Sequence, residues 1–282
     1  MFVYFVLLFQ SIIASGTHIV AKVVARDVEP LTLMLMRSSM AALGFGVIMK
    51  MRRKAVAIEH KDYGRMLSLS FIGILNQFLF LIAIKFTTPS NAALLYATTP
   101  AIVLLISAVI GRETIRWQKS IGIVLAFCGV LVIIFERGLY LSSENTMGNL
   151  IMFAAVIAWT LYSVLGRPMI LKYGAFTTSS LTMIIGAVIF LPFGVFGAAR
   201  FDYTTLHLAH WGGLLYLALG TSIISYYLWY YALARLEASR VAIFINLQPI
   251  LTTILAVVLL IERSVGATLL LRGHSFGVIP GA

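Results

Sequence analysis

Charge is scarce in this chain. Only 11% of its 282 residues are Asp, Glu, Lys or Arg, against ~25% in a soluble domain. Hydrophobic residues make up 61%, against ~45–50%. Too little polar surface remains to coat a water-soluble globule. A cytosolic enzyme, a secreted domain and a disordered chain are therefore excluded. Cysteine is almost absent. Cys128 stands alone, so no internal disulfide and no thiolate metal site can form. The apolar runs are long and do not alternate, which excludes barrel strands. The fold class that remains is an all-α polytopic membrane protein in a lipid bilayer.

About 20 apolar residues cross the hydrocarbon core as a helix. Ten such spans are expected: Val3–Val24, Leu31–Met49, Met66–Ile84, Ala92–Ile110, Ser120–Phe135, Asn149–Leu165, Ser180–Ala198, Trp211–Leu233, Val241–Ile261 and Ser264–Ile279. The tenth is short and carries Arg272 and His274. The start, MFVYFVLLFQ, lacks a basic leader and a small-residue cleavage site, and reads as a signal anchor kept as the first helix.

The net charge of +11 would suggest nucleic acid on a soluble protein. No basic stretch here carries the interleaved aromatics of a single-strand binder, and no nucleic-acid partner is expected. The charge is an orientation signal instead. Lys50, Arg52, Arg53, Lys54, Lys61, Arg65, Arg112, Arg116, Lys119, Arg167, Lys172, Arg235 and Arg240 fall in loops on one side. Lys22, Arg26, Lys85, Arg137, Arg200 and Arg263 fall on the other. Positive loops stay in the cytoplasm, so the first set and, with ten spans, both termini are cytoplasmic. A bacterial inner membrane is the expected location.

The sequence repeats itself. SNAALLYATTP (Ser90–Pro100) corresponds to SRVAIFINLQP (Ser239–Pro249), and Glu113 and Glu262 follow each proline by the same distance. Gly122 and Gly129 answer to Gly266 and Gly273. Five spans per half is an odd number, so the halves insert in opposite orientations. Inverted repeats of this kind build secondary transporters, with substrate bound near the midplane between repeats.

PLTLMLMR (Pro30–Arg37), TTPSNAALLYATTP, the Gly111–Glu113 GRE, and YYLWYYALARLEASRVAIFINLQP running on to Glu262 together resemble the drug/metabolite transporter superfamily, in its ten-helix form with two EamA-type repeats. The resemblance implies repeats at residues 1–140 and 145–282, a 5+5 inverted bundle, and export or exchange of a small metabolite, most often an amino acid. It implies no cofactor. Ser15-Gly16 stands where the family often has Trp-Gly, whereas Trp159 keeps the tryptophan.

Several residues are candidates for a central site. Pro100 and Pro249 lie inside spans, where each frees the carbonyl four residues earlier, those of Tyr96 and Ile245. A freed carbonyl in lipid must be re-satisfied or face a wet cavity. Thr98 and Thr99 precede one proline, Asn246 and Gln248 the other. Ser11, Ser15, His18 and Lys22 share one face of the first span. A polar stripe belongs in the bundle interior, where His18 binds substrate, relays a proton, or simply bonds a neighbouring helix. Trp159 and Tyr162 form an aromatic face beside Ser163; a substrate wall and core packing are both open readings. Asn76 and Gln77 sit mid-span as interhelical glue or substrate contacts. Tyr226 and Tyr227 are placed to reach the cavity, while Trp229 to Tyr231 read as an interfacial belt. Arg37 lies two turns into the second span; it pairs or snorkels, or else attracts a substrate carboxylate. Gly122, Ala126 and Gly129 make a small-residue face for helix packing or a dimer contact, so monomer and homodimer both stay open.

The expected substrate-binding set is Ser15, His18, Gln77, Tyr96, Thr99, Trp159, Tyr162, Tyr227, Asn246 and Gln248, with kinks at Pro100 and Pro249, between spans 1, 3, 4, 6, 8 and 9. All ten carboxylates fall in loops or at span ends. A proton-coupled antiporter normally uses a buried carboxylate, so facilitated diffusion or exchange is favoured unless His18 carries the proton. A membrane enzyme would need clustered carboxylates, a zinc motif or a nucleophile with a base; none appears. His207, His210 and Asp202 could at most hold an adventitious metal, and no metal is expected. A receptor-like protein is the remaining alternative, and the repeat argues against it.

Overall fold

The computed structural model describes residues 1–52, 57–110 and 144–258, together with 117, 121, 122, 124, 125, 128 and 129. The expected tenth span and the Glu113 and Glu262 positions lie outside the described residues, as do most of the fifth span and Ala126 of its Gly122–Ala126–Gly129 face. Among the described residues every regular element is helical. Eight segments among the described residues are long and apolar enough to cross a membrane.

The first two are α1 (Phe2–Asp27) and α2 (Pro30–Arg52). Pro30 opens α2, where the missing N–H costs nothing. A 3₁₀ turn at His60–Asp62 leads into α3 (Tyr63–Phe86). Thr88 caps α4 (Pro89–Tyr96), its hydroxyl accepting from the Asn91 N–H at 3.1 Å. Then come α5 (Thr99–Val109), α6 (Glu144–Tyr173) and α7 (Ala175–Ala198). The α6–α7 turn rests on Gly174 at φ 83°, a left-handed conformation that glycine adopts without strain. The seventh crossing comprises α8 (Leu208–Leu215), a π-helical stretch (Tyr216–Ser225) and α9 (Tyr226–Leu233). The eighth starts with α10 (Ala238–Ala242), passes through a 3₁₀ segment (Ile243–Leu247) and runs as helix to Val258.

Helices run past the expected ends because polar flanks extend them beyond the hydrocarbon. The largest difference is in α6, which continues through Arg167 and Pro168 to Tyr173.

The segments before residue 110 and after 144 pair crosswise. α3 packs along α6, α2 along α7, and α1 along residues 208–233. Small residues permit the contacts. A Cβ on Gly194 would lie 2.7 Å from the Leu35 Cβ, so α7 can approach α2 only with glycine there. The end of α1 and the start of α6 meet at one end of the bundle. Lys22 Nζ donates to the Thr87 carbonyl at 2.7 Å, and the Thr87 side chain bonds Asn149. α6 thus runs opposite to α1. At the other end Lys172 Nζ bridges Glu59 and Asp62, both at 2.6 Å.

The interior is a hydrophobic core, as in a soluble protein, but the surface is apolar too. Phe5, Phe9, Leu43, Val47, Val188 and Phe193 are exposed, as lipid contact requires. Serines and threonines are buried, many bonding their own helix, as Ser70 does to the Met66 carbonyl at 2.7 Å.

Candidate functional site

The spans that carry Pro100 and Pro249 break at the same relative place, whereas α6 and α7 run on through Pro168 and Pro192. In the first, α4 stops at Tyr96 and α5 starts at Thr99, so Pro100 does more than kink the helix. The carbonyl it frees, that of Tyr96, accepts the Thr99 hydroxyl at 2.6 Å. The neighbouring Leu95 carbonyl accepts the Thr98 hydroxyl at 2.6 Å. In the second, the backbone tightens to 3₁₀ winding before Pro249, and the Ile245 carbonyl accepts the Gln248 N–H. α1 crosses this break: Ser11 donates to the Phe244 carbonyl at 3.3 Å and Ser15 to that of Gln248 at 3.5 Å.

Beside the breaks lies a small cavity of about 60 Å³, well below the ~300–1,000 Å³ of open small-molecule sites. Its wall includes Gln10, Thr17 and His18 from α1, Asn76, Gln77 and Phe80 from α3, and Tyr96, Trp159, Tyr226 and Gln248 from four further segments. α2 contributes Arg37, a helix outside the expected set of six, and the π-helical stretch contributes Thr221 and Ser225.

The polar groups of this wall bond across from the early to the late part of the chain. Gln10 Nε2 donates to Ser225 Oγ at 3.0 Å, and the Thr17 and Thr221 hydroxyls lie 2.7 Å apart. His18 Nε2 meets Gln248 Oε1 at 3.2 Å. Arg37 Nε donates to Ser222 Oγ at 2.8 Å. Asn76 Nδ2 donates to Tyr96 Oη at 3.0 Å and to the Ala155 carbonyl at 2.8 Å, while Tyr226 Oη donates to Asn76 Oδ1 at 3.1 Å. Ser222 also reaches Gln77 Oε1 at 3.3 Å and the Leu217 carbonyl, five residues back, at 3.0 Å. Aromatic edges close the cavity: His18 lies 5.6 Å from both Phe80 and Tyr96, and Trp159 5.1 Å from Tyr226, ring centre to ring centre.

The structure distributes the sequence-derived candidates as follows. His18, Gln77, Tyr96, Trp159 and Gln248 line the cavity together. Ser15, Thr99 and Tyr162 are buried behind it. Ser15 and Thr99 hold backbone carbonyls at the two breaks. Tyr162 bonds Thr182 at 2.9 Å and stacks on Tyr230 at 4.9 Å. Tyr227 turns instead toward a groove shared with Arg52, Phe176 and Tyr231. Asn246 is exposed on the outer side of the break. The expected belt at Trp229–Tyr231 needs correcting for its first two members. Trp229 and Tyr230 are buried, and the Trp229 indole donates to Ser163 Oγ at 2.9 Å. They share one helical face with Tyr226 and pack α9 on α6.

His210 is likewise reassigned. It pairs with Asp27 at 2.9 Å, while Asp202 caps its own turn by accepting from the Thr204 N–H and hydroxyl. These Thr204 bonds hold the Asp202 carboxyl below its ordinary range. Among the described residues no three His, Cys, Asp or Glu side chains come together as a metal site.

Gln10, Thr17, Thr221 and Ser225 were missed. Their signal was faint: Gln10 and Thr17 sit seven apart, one face of α1, and Thr221, Ser222 and Ser225 are hydroxyls in an apolar run.

Known proteins resemble this chain over most of its length. The sequence profile of a family described as "EamA-like transporter family" matches residues 1–135 and 146–271. The uncharacterized transporter YetK of Bacillus subtilis (strain 168) is 32% identical over 209 residues, covering 73% of this chain and 63%, less than two thirds, of that relative. The uncharacterized transporter YyaM of the same organism is 26% identical over 287 residues, 96% of this chain and 92% of that one. A probable terminal-alkyne amino-acid exporter of Streptantibioticus cattleyicolor is 28% identical over 67% of this chain and 61% of its own. One solved crystal structure matches with a TM-score of 0.67 at 18% identity, covering 89% of this chain and 88% of that one. At that identity the likeness is one of fold.

Proposed function

The chain belongs to the EamA-like transporter family, a family of transporters and not of enzymes, and on that premise we propose that it is a secondary transporter moving a small organic metabolite by alternating access. The observation that carries this reading is the central cavity. It is walled by polar side chains that bond between the early and late parts of the chain. Such bonds are exchangeable, so a cavity lined by them can open toward one side and then the other as the two parts rock.

The cargo class is an amino acid or related compound, leaving the cell by export or facilitated exchange. One relative's name, a probable amino-acid exporter, supports this. The proposed architecture is ten spans in two inverted repeats, residues 1–140 and 145–282, in a bacterial inner membrane with both termini cytoplasmic. The opposed directions of α1 and α6 and the one-sided loop charge support it. The chain functions as a monomer or homodimer. The proposed contacts for cargo are His18, Gln77, Tyr96, Trp159 and Gln248. Among the described residues no carboxylate lines the cavity, in keeping with uniport or exchange rather than proton antiport.

The test is a panel of metabolites in proteoliposomes, with and without a pH gradient. The proposal expects saturable flux of at least one amino acid, insensitive to the gradient. Flux equal to that of protein-free vesicles for every solute refutes it.

A further inference from the structure

At the end of the bundle that carries Lys172, a groove of about 530 Å³ opens between α2, the start of α7 and the end of α9. That is within the ~300–1,000 Å³ of small-molecule sites. Three rings line it in a row. Phe176 lies 6.1 Å from Tyr227, and Tyr227 lies 6.2 Å from Tyr231, ring centre to ring centre. An arginine sits over each end of the row. The Arg52 guanidinium is 4.1 Å from the Phe176 ring centre, and that of Arg235 is 3.5 Å from the Tyr231 ring centre.

Both arginines are exposed, and neither pairs with an Asp or Glu among the described residues. The three acids described at this end are engaged elsewhere. Glu59 and Asp62 bind Lys172, and Glu237 lies 3.3 Å from Arg240. The first turn of α7, which enters the groove, holds no acid. Arg235 gives one N–H to the Tyr231 carbonyl at 3.0 Å, which leaves donors in its fork for an oxyanion. The groove is therefore uncompensated positive charge on an aromatic floor. The sequence adds charge at the end of α2, where Lys50, Arg52, Arg53 and Lys54 stand within five residues.

Position selects the kind of anion. The groove lies at the end of membrane-crossing helices. Tyrosine rings sit there at headgroup depth, and basic pockets between helices hold lipid phosphates. Val47 and Met51, on either side of Met49 in α2, are exposed and offer an apolar flank that a soluble phosphate compound has no use for. We propose that this groove binds the headgroup of an anionic phospholipid. Its phosphate is drawn to Arg52 and Arg235, and its glycerol and upper acyl carbons lie on Phe176, Tyr227 and Tyr231. A lipid seated there touches α2 from the early part of the chain and α7 and α9 from the late part. The proposal needs only that the chain lies in a bilayer and is independent of any cargo.

The test titrates the full chain in detergent with dioleoyl phosphatidylglycerol and, separately, with dioleoyl phosphatidylcholine, and reads bound lipid by native mass spectrometry. The wild-type protein is expected to prefer phosphatidylglycerol. A basic residue near the headgroups favours anionic lipid by about fivefold, so the Kd for phosphatidylglycerol should rise about fivefold in Arg52→Gln or Arg235→Gln and about thirtyfold in the double variant. Phosphatidylcholine binding should not change. Arg65→Gln removes an equal charge at the same end but outside the groove, and should bind phosphatidylglycerol as wild type does. Glycerol 3-phosphate added in excess should leave the lipid bound; displacement would assign the groove to a soluble phosphate and overturn the proposal. Equal wild-type affinity for the two lipids overturns it as well. So does an equal loss in Arg65→Gln and Arg52→Gln, which would show diffuse attraction and no site. The three arginines are exposed, so their replacement leaves the packed interior intact, and the wild-type preference is read without any variant.

Discussion

Replacing Asn76 by leucine tests the bonding that holds the cavity together. Asn76 makes three side-chain bonds, to Tyr96 on α4, to the Ala155 carbonyl on α6 and from Tyr226 on α9. Leucine has the same branched heavy-atom skeleton, though it is bulkier, and removes all three. Interhelical bonds in membranes average ~0.6 kcal/mol, with a ceiling near ~1.7. Three of them give about 2 kcal/mol, bounded at about 5. Unfolding in mixed micelles, followed by tryptophan fluorescence, should therefore show Asn76→Leu destabilised by about 2 kcal/mol. Tyr226→Phe removes one bond, and the double-mutant cycle should return a coupling of about 0.6 kcal/mol for that pair. Asn76→Leu within about 0.5 kcal/mol of wild type would show that these bonds do not join the helices. A coupling of zero with a destabilised single variant would place the effect in packing instead.

Two further outcomes follow from local geometry. Thr99→Val should cost about 1–3 kcal/mol, because it keeps the branched shape but strands the Tyr96 carbonyl freed by Pro100, whereas Thr99→Ser should restore most of it; equal losses in both would count against the cap. At the Lys172 end, bonds from Lys172 and Lys61 hold the Glu59 carboxyl below its ordinary range. A depressed carboxylate stabilises fully above the unfolded value of ~4.3, and the contribution disappears as pH falls through the folded value. Unfolding temperature measured from about pH 6 down to about pH 3 should therefore fall less steeply for Lys172→Met than for wild type. Parallel curves would remove the bridge from the account.

Much of the architecture was legible because apolar runs and proline chemistry are local. The runs gave the spans, and Pro100 with its flanking threonines gave a helix break whose freed carbonyl has its donor beside it. His18, Gln77, Tyr96, Trp159 and Gln248 stood out as polar or aromatic residues in apolar surroundings. Other features depend on rotation about helix axes, which spacing alone does not give. Tyr226 and Tyr227 point about 100° apart on a helix, and it is Tyr226 that reaches the cavity. The π-helical winding of Tyr216–Ser225 shifts the register of that face and turns Thr221 and Ser225 inward. On α1 the serine stripe was visible, but Ser11 and Ser15 hold the backbone of the second break, and the adjoining Gln10–Thr17 face meets the cavity. Aromatic residues near a span end suggested a belt at Trp229 and Tyr230; tertiary packing against Tyr162 and Ser163 buried them.

Counterflow in proteoliposomes tests the central claim most directly. Vesicles loaded with an excess of unlabelled amino acids are diluted into a trace of the labelled ones. The account predicts transient uptake of at least one label through the wild-type protein, and a loss of about tenfold or more in Gln248→Ala and Tyr96→Ala, each of which removes a cavity-lining polar group. Folded wild-type protein that gives no counterflow, or variants that both match it, would contradict a cargo site in this cavity.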